Sequence, residues 1–133
     1  MFDADRIRQS FARQAFMTTF EARLDEIAQG AVTISAPILP IAAQQQGYAH
    51  AGLTFALGDS AAGYSALSLL PADQEVVTSE MKINLLAPAT GDRLVARGRV
   101  VKPGRRLIVV LSEVFCGDRQ VALLTGTMVP VPA

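Results

Sequence analysis

The sequence predicts an α+β protein in which a curved antiparallel sheet wraps around one long helix. Three observations carry this. From Ala51 to Leu69 the chain runs without proline, and its apolar residues Leu53, Phe55, Ala56, Leu57, Ala61, Tyr64 and Leu67 recur at spacings of three and four, as in a helix. From Glu75 to the C-terminus apolar and polar residues instead alternate, in runs separated by Pro, Gly and Asp. A sheet with one apolar face needs a cover, and this chain offers one long apolar helix to supply it.

The elements follow in order. Asp3 is placed to cap a short N-terminal helix with Ile7, Phe11 and Ala15 on one face. Phe20 to Ala28 reads as a strand, Gln29-Gly30 as a turn, and the alternation of Val32, Ile34 and Ala36 as a second strand. Pro37 and Pro40 end that pairing, because proline cannot donate to a ladder. After the central helix, Glu75 to Ala87 forms a strand with Val77, Ser79, Met81, Ile83 and Leu85 on one face and Thr78, Glu80, Lys82 and Asn84 on the other. Arg93 to Val101, Leu107 to Cys116 and Val121 to Val131 complete the sheet, with turns at Lys102-Pro103-Gly104 and Gly117-Asp118.

At 133 residues the chain, 1–133, is expected to be a single domain with a substantial core, half of its residues being hydrophobic. Twelve basic and twelve acidic residues balance, which gives no electrostatic grip on nucleic acid or an anionic membrane. No apolar run reaches the roughly 18 residues of a membrane span, and the N-terminus lacks a basic segment followed by an apolar one, so a cytoplasmic location is expected. One cysteine and one histidine leave no metal site and no internal disulfide, and Cys116 reads as a buried structural thiol.

The charge pattern singles out one residue. Between Glu26 and Asp73 the only formally charged side chain is Asp59, in mid-helix, with no Lys or Arg on that helix to pair with it. A carboxylate among apolar neighbours must find hydrogen bonds, shift its pKa, or face a cleft. It is either a structural Asp held by a neighbouring strand or a functional group. Gly52, Gly58 and Gly63 on the same helix each cost about 1 kcal/mol relative to alanine, which predicts close packing against it.

Gln44, Gly47, His50-Ala51-Gly52 and Asp59, nine residues after the histidine and with Ala61-Ala62-Gly63-Tyr64 behind it, form a pattern that resembles the PaaI-like branch of the hotdog-fold acyl-CoA thioesterases. Thr78 to Ala89, Gly91 to Ala96 and Val100 to Arg106 are similar to that family's later strands and hairpin. The resemblance spans about Phe16 to Val129 and implies a hotdog fold. It also implies hydrolysis of an acyl-CoA or aryl-CoA thioester to a carboxylate and free coenzyme A, with no cofactor beyond the coenzyme A of the substrate. Self-association to a dimer or tetramer, with sites at the subunit interface, follows from the same likeness. By resemblance Asp59 is general base or nucleophile, and Thr78 is a hydroxyl that orients the lytic water from the partner subunit. Gln44 stands where many relatives have Asn, and Ala51 where many have Gly.

The backbone N–H of Ala51 or Gly52, at the positive end of the helix, suits a developing oxyanion. His50 either caps that helix or takes protons. Lys102, Arg105 and Arg106 form a basic turn that is either a solvated hairpin tip or a clamp for coenzyme A phosphates. A non-catalytic hotdog module holding an acyl or aryl thioester is the alternative. A dehydratase, which pairs its histidine differently with an acid, is disfavoured.

Overall fold

A computed structural model describes residues 2–133. The chain opens with helices α1 (Ala4–Ala12) and α2 (Ala15–Thr19), then strands β1 (Arg23–Ala28) and β2 (Ala31–Pro37). A short 3-10 turn over Pro40–Ala42 and an irregular loop lead into helix α3 (Ala51–Leu67). Strands β3 (Gln74–Leu85), β4 (Arg93–Pro103), β5 (Ile108–Cys116) and β6 (Arg119–Pro132) follow. The six strands form one antiparallel sheet in the order β1-β2-β4-β5-β6-β3, with α3 packed across it: the hotdog fold that the resemblance implies.

Periodicity explains why α3 sits where it does. Leu53, Leu57, Ala61 and Leu67 are all 3% exposed or less and meet the inner sheet residues Val32, Ile34, Leu94, Ala96, Val114 and Leu124. The alternation predicted for β4 holds, with Leu94, Ala96 and Gly98 inward and Arg97 and Arg99 exposed. Two buried serines tie helix to sheet: Ser65 Oγ accepts from Val32 N–H at 3.0 Å, and Ser112 Oγ donates to the Gly58 carbonyl at 2.6 Å.

Several expectations need correction. The N-terminal helix stops at Ala12, so Ala15 begins a second, one-turn helix instead of extending the first. The strand expected from Phe20 starts at Arg23, because Glu21 takes a positive φ of 56° that breaks extended backbone. The face assignment for β3 fails at a bulge. Thr78 pairs with Met128 and Glu80 with Thr127, which leaves Ser79 unpaired and reverses the alternation. Val76 and Thr78 therefore turn toward α3 on one side of the bulge and Met81 and Ile83 on the other, while Val77 is 50% exposed. Strand β3 joins β6 at the edge of the sheet.

Candidate active site

The sequence-predicted residues fall into two groups at different places along α3. The first surrounds its N-terminus. His50 is the cap residue, and its ring Nδ1 accepts the Gly52 N–H at 2.8 Å. The Leu53 N–H donates to the His50 carbonyl at 3.0 Å. The N–H of Ala51 finds no partner among the described residues. Of the two donors the sequence left open, Gly52 is thus already used, and Ala51 presents the free N–H at the positive end of the helix dipole. Ala51 is exposed and opens onto a cleft of about 510 Å³ together with Gln44, Thr54, Leu85 and Leu86.

Gln44 shapes this cleft through its own loop. Its Oε1 accepts from the N–H groups of Gln46 and Tyr48, and its Nε2 donates to Gln46 Oε1 at 3.1 Å. The chain turns here at Gly47, where φ is +87°, a value suited to glycine. The cap geometry of His50 yields a prediction: His50→Ala should lower stability by about 1 kcal/mol through the lost cap. A thermal melt checks it, the midpoint falling by a few degrees.

The second group surrounds Asp59, eight residues and about 12 Å further along the helix at 1.5 Å per residue. Thr78 Oγ1 donates to Asp59 Oδ1 at 2.8 Å within the same chain. Burial raises the Asp59 carboxyl above its ordinary value, and the Thr78 hydrogen bond only partly offsets this. The pair lines a cleft of about 190 Å³.

No periodicity or spacing in the sequence marks the far wall of this cleft. Gln14, in the break between α1 and α2, donates through Nε2 to the Tyr64 hydroxyl at 3.1 Å and accepts through Oε1 from Ser60 Oγ at 3.2 Å. Ser10 and Tyr64 hydroxyls lie 3.2 Å apart. No local signal marks Gln14, whose partners stand 46 and 50 residues away.

The remaining predictions divide. Lys102, Arg105 and Arg106 are exposed at the β4–β5 turn, without an ion pair or side-chain hydrogen bond to the described residues. Leu57 is fully buried between helix and sheet. Cys116 is buried and free, and burial pushes its thiol pKa up, in keeping with a structural thiol. No group of three or more His, Cys, Asp or Glu side chains suited to a metal occurs among the described residues. No described helix is long and apolar enough to cross a membrane.

Known proteins share the fold and part of the sequence. A thioesterase family protein from Silicibacter pomeroyi is 40% identical, with 98% of each chain covered and a TM-score of 0.95. The BH2602 protein of Bacillus halodurans, whose structure was solved with CoA, is 26% identical over 93% of this chain and 80% of its own, with a TM-score of 0.83. The protein of Saccharolobus solfataricus called "Putative esterase" is 34% identical over 84 residues, and the match spans 62% of this chain and 55% of that relative. The family model of the thioesterase superfamily matches residues 46–123, from the loop that carries Gln46 through Asp59 and Thr78 into β6. With its hotdog fold and PaaI-like His-Ala-Gly to Asp pattern, the chain belongs to the thioesterase superfamily, the hotdog-fold thioester hydrolases.

Proposed function

We propose that this single-domain protein hydrolyses an acyl-CoA thioester to a carboxylate and free coenzyme A, at composite sites built by two copies of the chain. The observation that carries the proposal is the split along α3: a half-buried carboxylate with a hydroxyl partner at Asp59, and an unpartnered N–H at Ala51 about 12 Å away on the same rod. Hydrolysis needs a base or nucleophile and an oxyanion donor within a few ångströms of one carbonyl. One chain cannot bring these two together, but a twofold-related copy can set its Ala51 opposite the first copy's Asp59.

The sheet edge supports such a pairing. Strand β3 has a neighbour on one side only, so its outer row of N–H and C=O groups is free for a second β3. Leu85 and Leu86, 59% and 55% exposed at its end, would be covered by the same contact. In the resulting site the ionised Asp59 takes a proton from water, or attacks the carbonyl itself. Thr78 holds the carboxylate in position, and the Ala51 N–H stabilises the developing oxyanion. His50 keeps that donor in place by capping the helix.

The proposed substrate follows from the CoA held by the Bacillus halodurans relative and from the basic turn. Ile108, at the base of that turn, pairs with Met128, which pairs with Thr78, so roughly 10 Å of sheet separates the turn from the carboxylate's partner. Arg105, Arg106 and Lys102 are then available to the phosphates of coenzyme A. Reversing both arginines in an Arg105→Glu/Arg106→Glu double variant should raise KM for the thioester about tenfold at low salt, with a smaller change in kcat. Steady-state kinetics at two ionic strengths check this.

The reading as a whole is tested by thiol release from short, branched, long and aryl acyl-CoAs, alongside light scattering. Turnover by a species of at least two chains is expected. A monomer, or a multimer that binds coenzyme A thioesters without cleaving any, would overturn it, the latter leaving a binding module.

A further inference from the structure

Gly63 lies four residues, one helical turn, beyond Asp59 and lines the same cleft. A glycine inside a helix is less favourable than alanine, so its presence needs a reason. Gly58 has one within the chain, because a Cβ there would come within 2.8 Å of the Leu124 methyls. Gly63 has none of that kind. Its added Cβ would meet only Met128 Cε at 3.8 Å, an ordinary contact.

The space left by the missing side chain therefore belongs to the cleft. Helical Cα–Cβ bonds tilt toward the N-terminus, so a side chain at 63 would lean toward Asp59. Two other parts of the wall are held in place. Leu67, 2% exposed, lies one turn further along the same face. Gln14 is held at both ends of its amide by Tyr64 and Ser60, which fastens the N-terminal segment against the helix. A side chain added at position 63 would narrow the cleft beside Asp59.

We propose that Gly63 is a specificity-determining residue, its absent side chain admitting acyl groups that are branched or ring-bearing next to the thioester carbonyl. This rests on the reading of Asp59 as the catalytic carboxylate, with the carbonyl held beside it. Linear two-carbon acyl groups use less of that width, so narrowing the cleft should penalise them less.

The test compares wild type, Gly63→Ala and Gly63→Val on benzoyl-CoA and acetyl-CoA, and measures calorimetric binding of the uncleavable thioethers S-benzyl-CoA and S-ethyl-CoA. In Gly63→Ala the ratio of kcat/KM for benzoyl-CoA to that for acetyl-CoA should fall at least tenfold. Affinity for S-benzyl-CoA should fall by a similar factor relative to S-ethyl-CoA, and Gly63→Val should exceed both effects. The Ala variant should also melt a few degrees higher, since alanine is the better helix former. Unchanged ratios in turnover and in thioether binding would overturn the inference. So would a loss of oligomer mass in Gly63→Ala by light scattering, because the glycine would then serve subunit packing. Thioether binding reads the width without the carboxylate. A fully active Asp59→Asn with intact Gly63 discrimination would sink the catalytic reading of Asp59 alone, while an inactive Asp59→Asn with no Gly63 discrimination would sink only this inference.

Discussion

Asp59→Asn is expected to lower kcat for thioester hydrolysis by about a hundred- to ten-thousandfold, the range for removal of a positioned acid–base group. The same substitution should stabilise the fold at neutral pH, and this combination separates a working carboxylate from a structural one. Burial raises the Asp59 carboxyl above its ordinary value of 3.8, so the folded chain holds a proton that the unfolded chain has released. Stability then falls as pH rises from the unfolded value through the raised folded one, because the native state binds more protons across that window. Asparagine carries no such cost. Melting wild type and Asp59→Asn across pH 3 to 8 should show equal behaviour at the acid end and a higher midpoint for the variant near neutrality. The acid limb of kcat/KM in wild type should likewise lie above pH 3.8. A variant that lost both activity and stability would mark the Thr78–Asp59 hydrogen bond as a support of the fold.

Gly98→Ala should be among the most damaging single-methyl changes to the fold. A Cβ on Gly98 would lie 2.4 Å from the Ala61 carbonyl carbon, 2.5 Å from its oxygen and 2.6 Å from the Ala62 nitrogen. These are backbone atoms of α3, which cannot swing aside as a side-chain tip can. Relief requires moving the helix off β4, so the cost belongs at the upper end of overpacking, about 3 kcal/mol. In a domain of this size that corresponds to a drop in melting temperature of about 10 °C. Activity should suffer as well, because α3 carries both Ala51 and Asp59. Gly58→Ala, whose nearest clashes are with the Leu124 side chain, should be milder.

The contrast among glycines shows where sequence reasoning stops. Three helix glycines announce close packing, yet only Gly58 is pressed by a sheet residue; a Cβ on Gly52 would lie 3.0 Å from its own cap, His50 Nδ1, and Gly63 opens to a cleft. The closest approach of sheet to helix falls instead on Gly98, which looks unremarkable in a strand. Long periodic segments were legible: α3 and the alternating strands stand where their patterns put them, and Asp59 stood out by charge alone. The bulge at Ser79 was not legible, since a one-residue slip has no compositional mark. It decides that Thr78, not Val77, faces the helix and reaches Asp59. The Gln14 clamp and the choice of Ala51 over Gly52 as free donor depend on contacts no spacing rule reaches.

The composite site is tested most directly by mixing subunits that are each disabled in a different half. Ala51→Pro removes the proposed donor N–H while keeping the helix, because proline is well tolerated at the first helical position and His50 already has the extended backbone it requires. Asp59→Asn disables the other half. Each variant alone should be inactive. When the two are unfolded together and refolded, or co-expressed, about half of the dimers should contain one of each, and each such dimer regains one complete site, about a quarter of wild-type activity in all. Recovery to that level is the predicted result. Mixtures as inactive as the parents, with exchange of subunits verified by mass, would contradict a site shared between two chains.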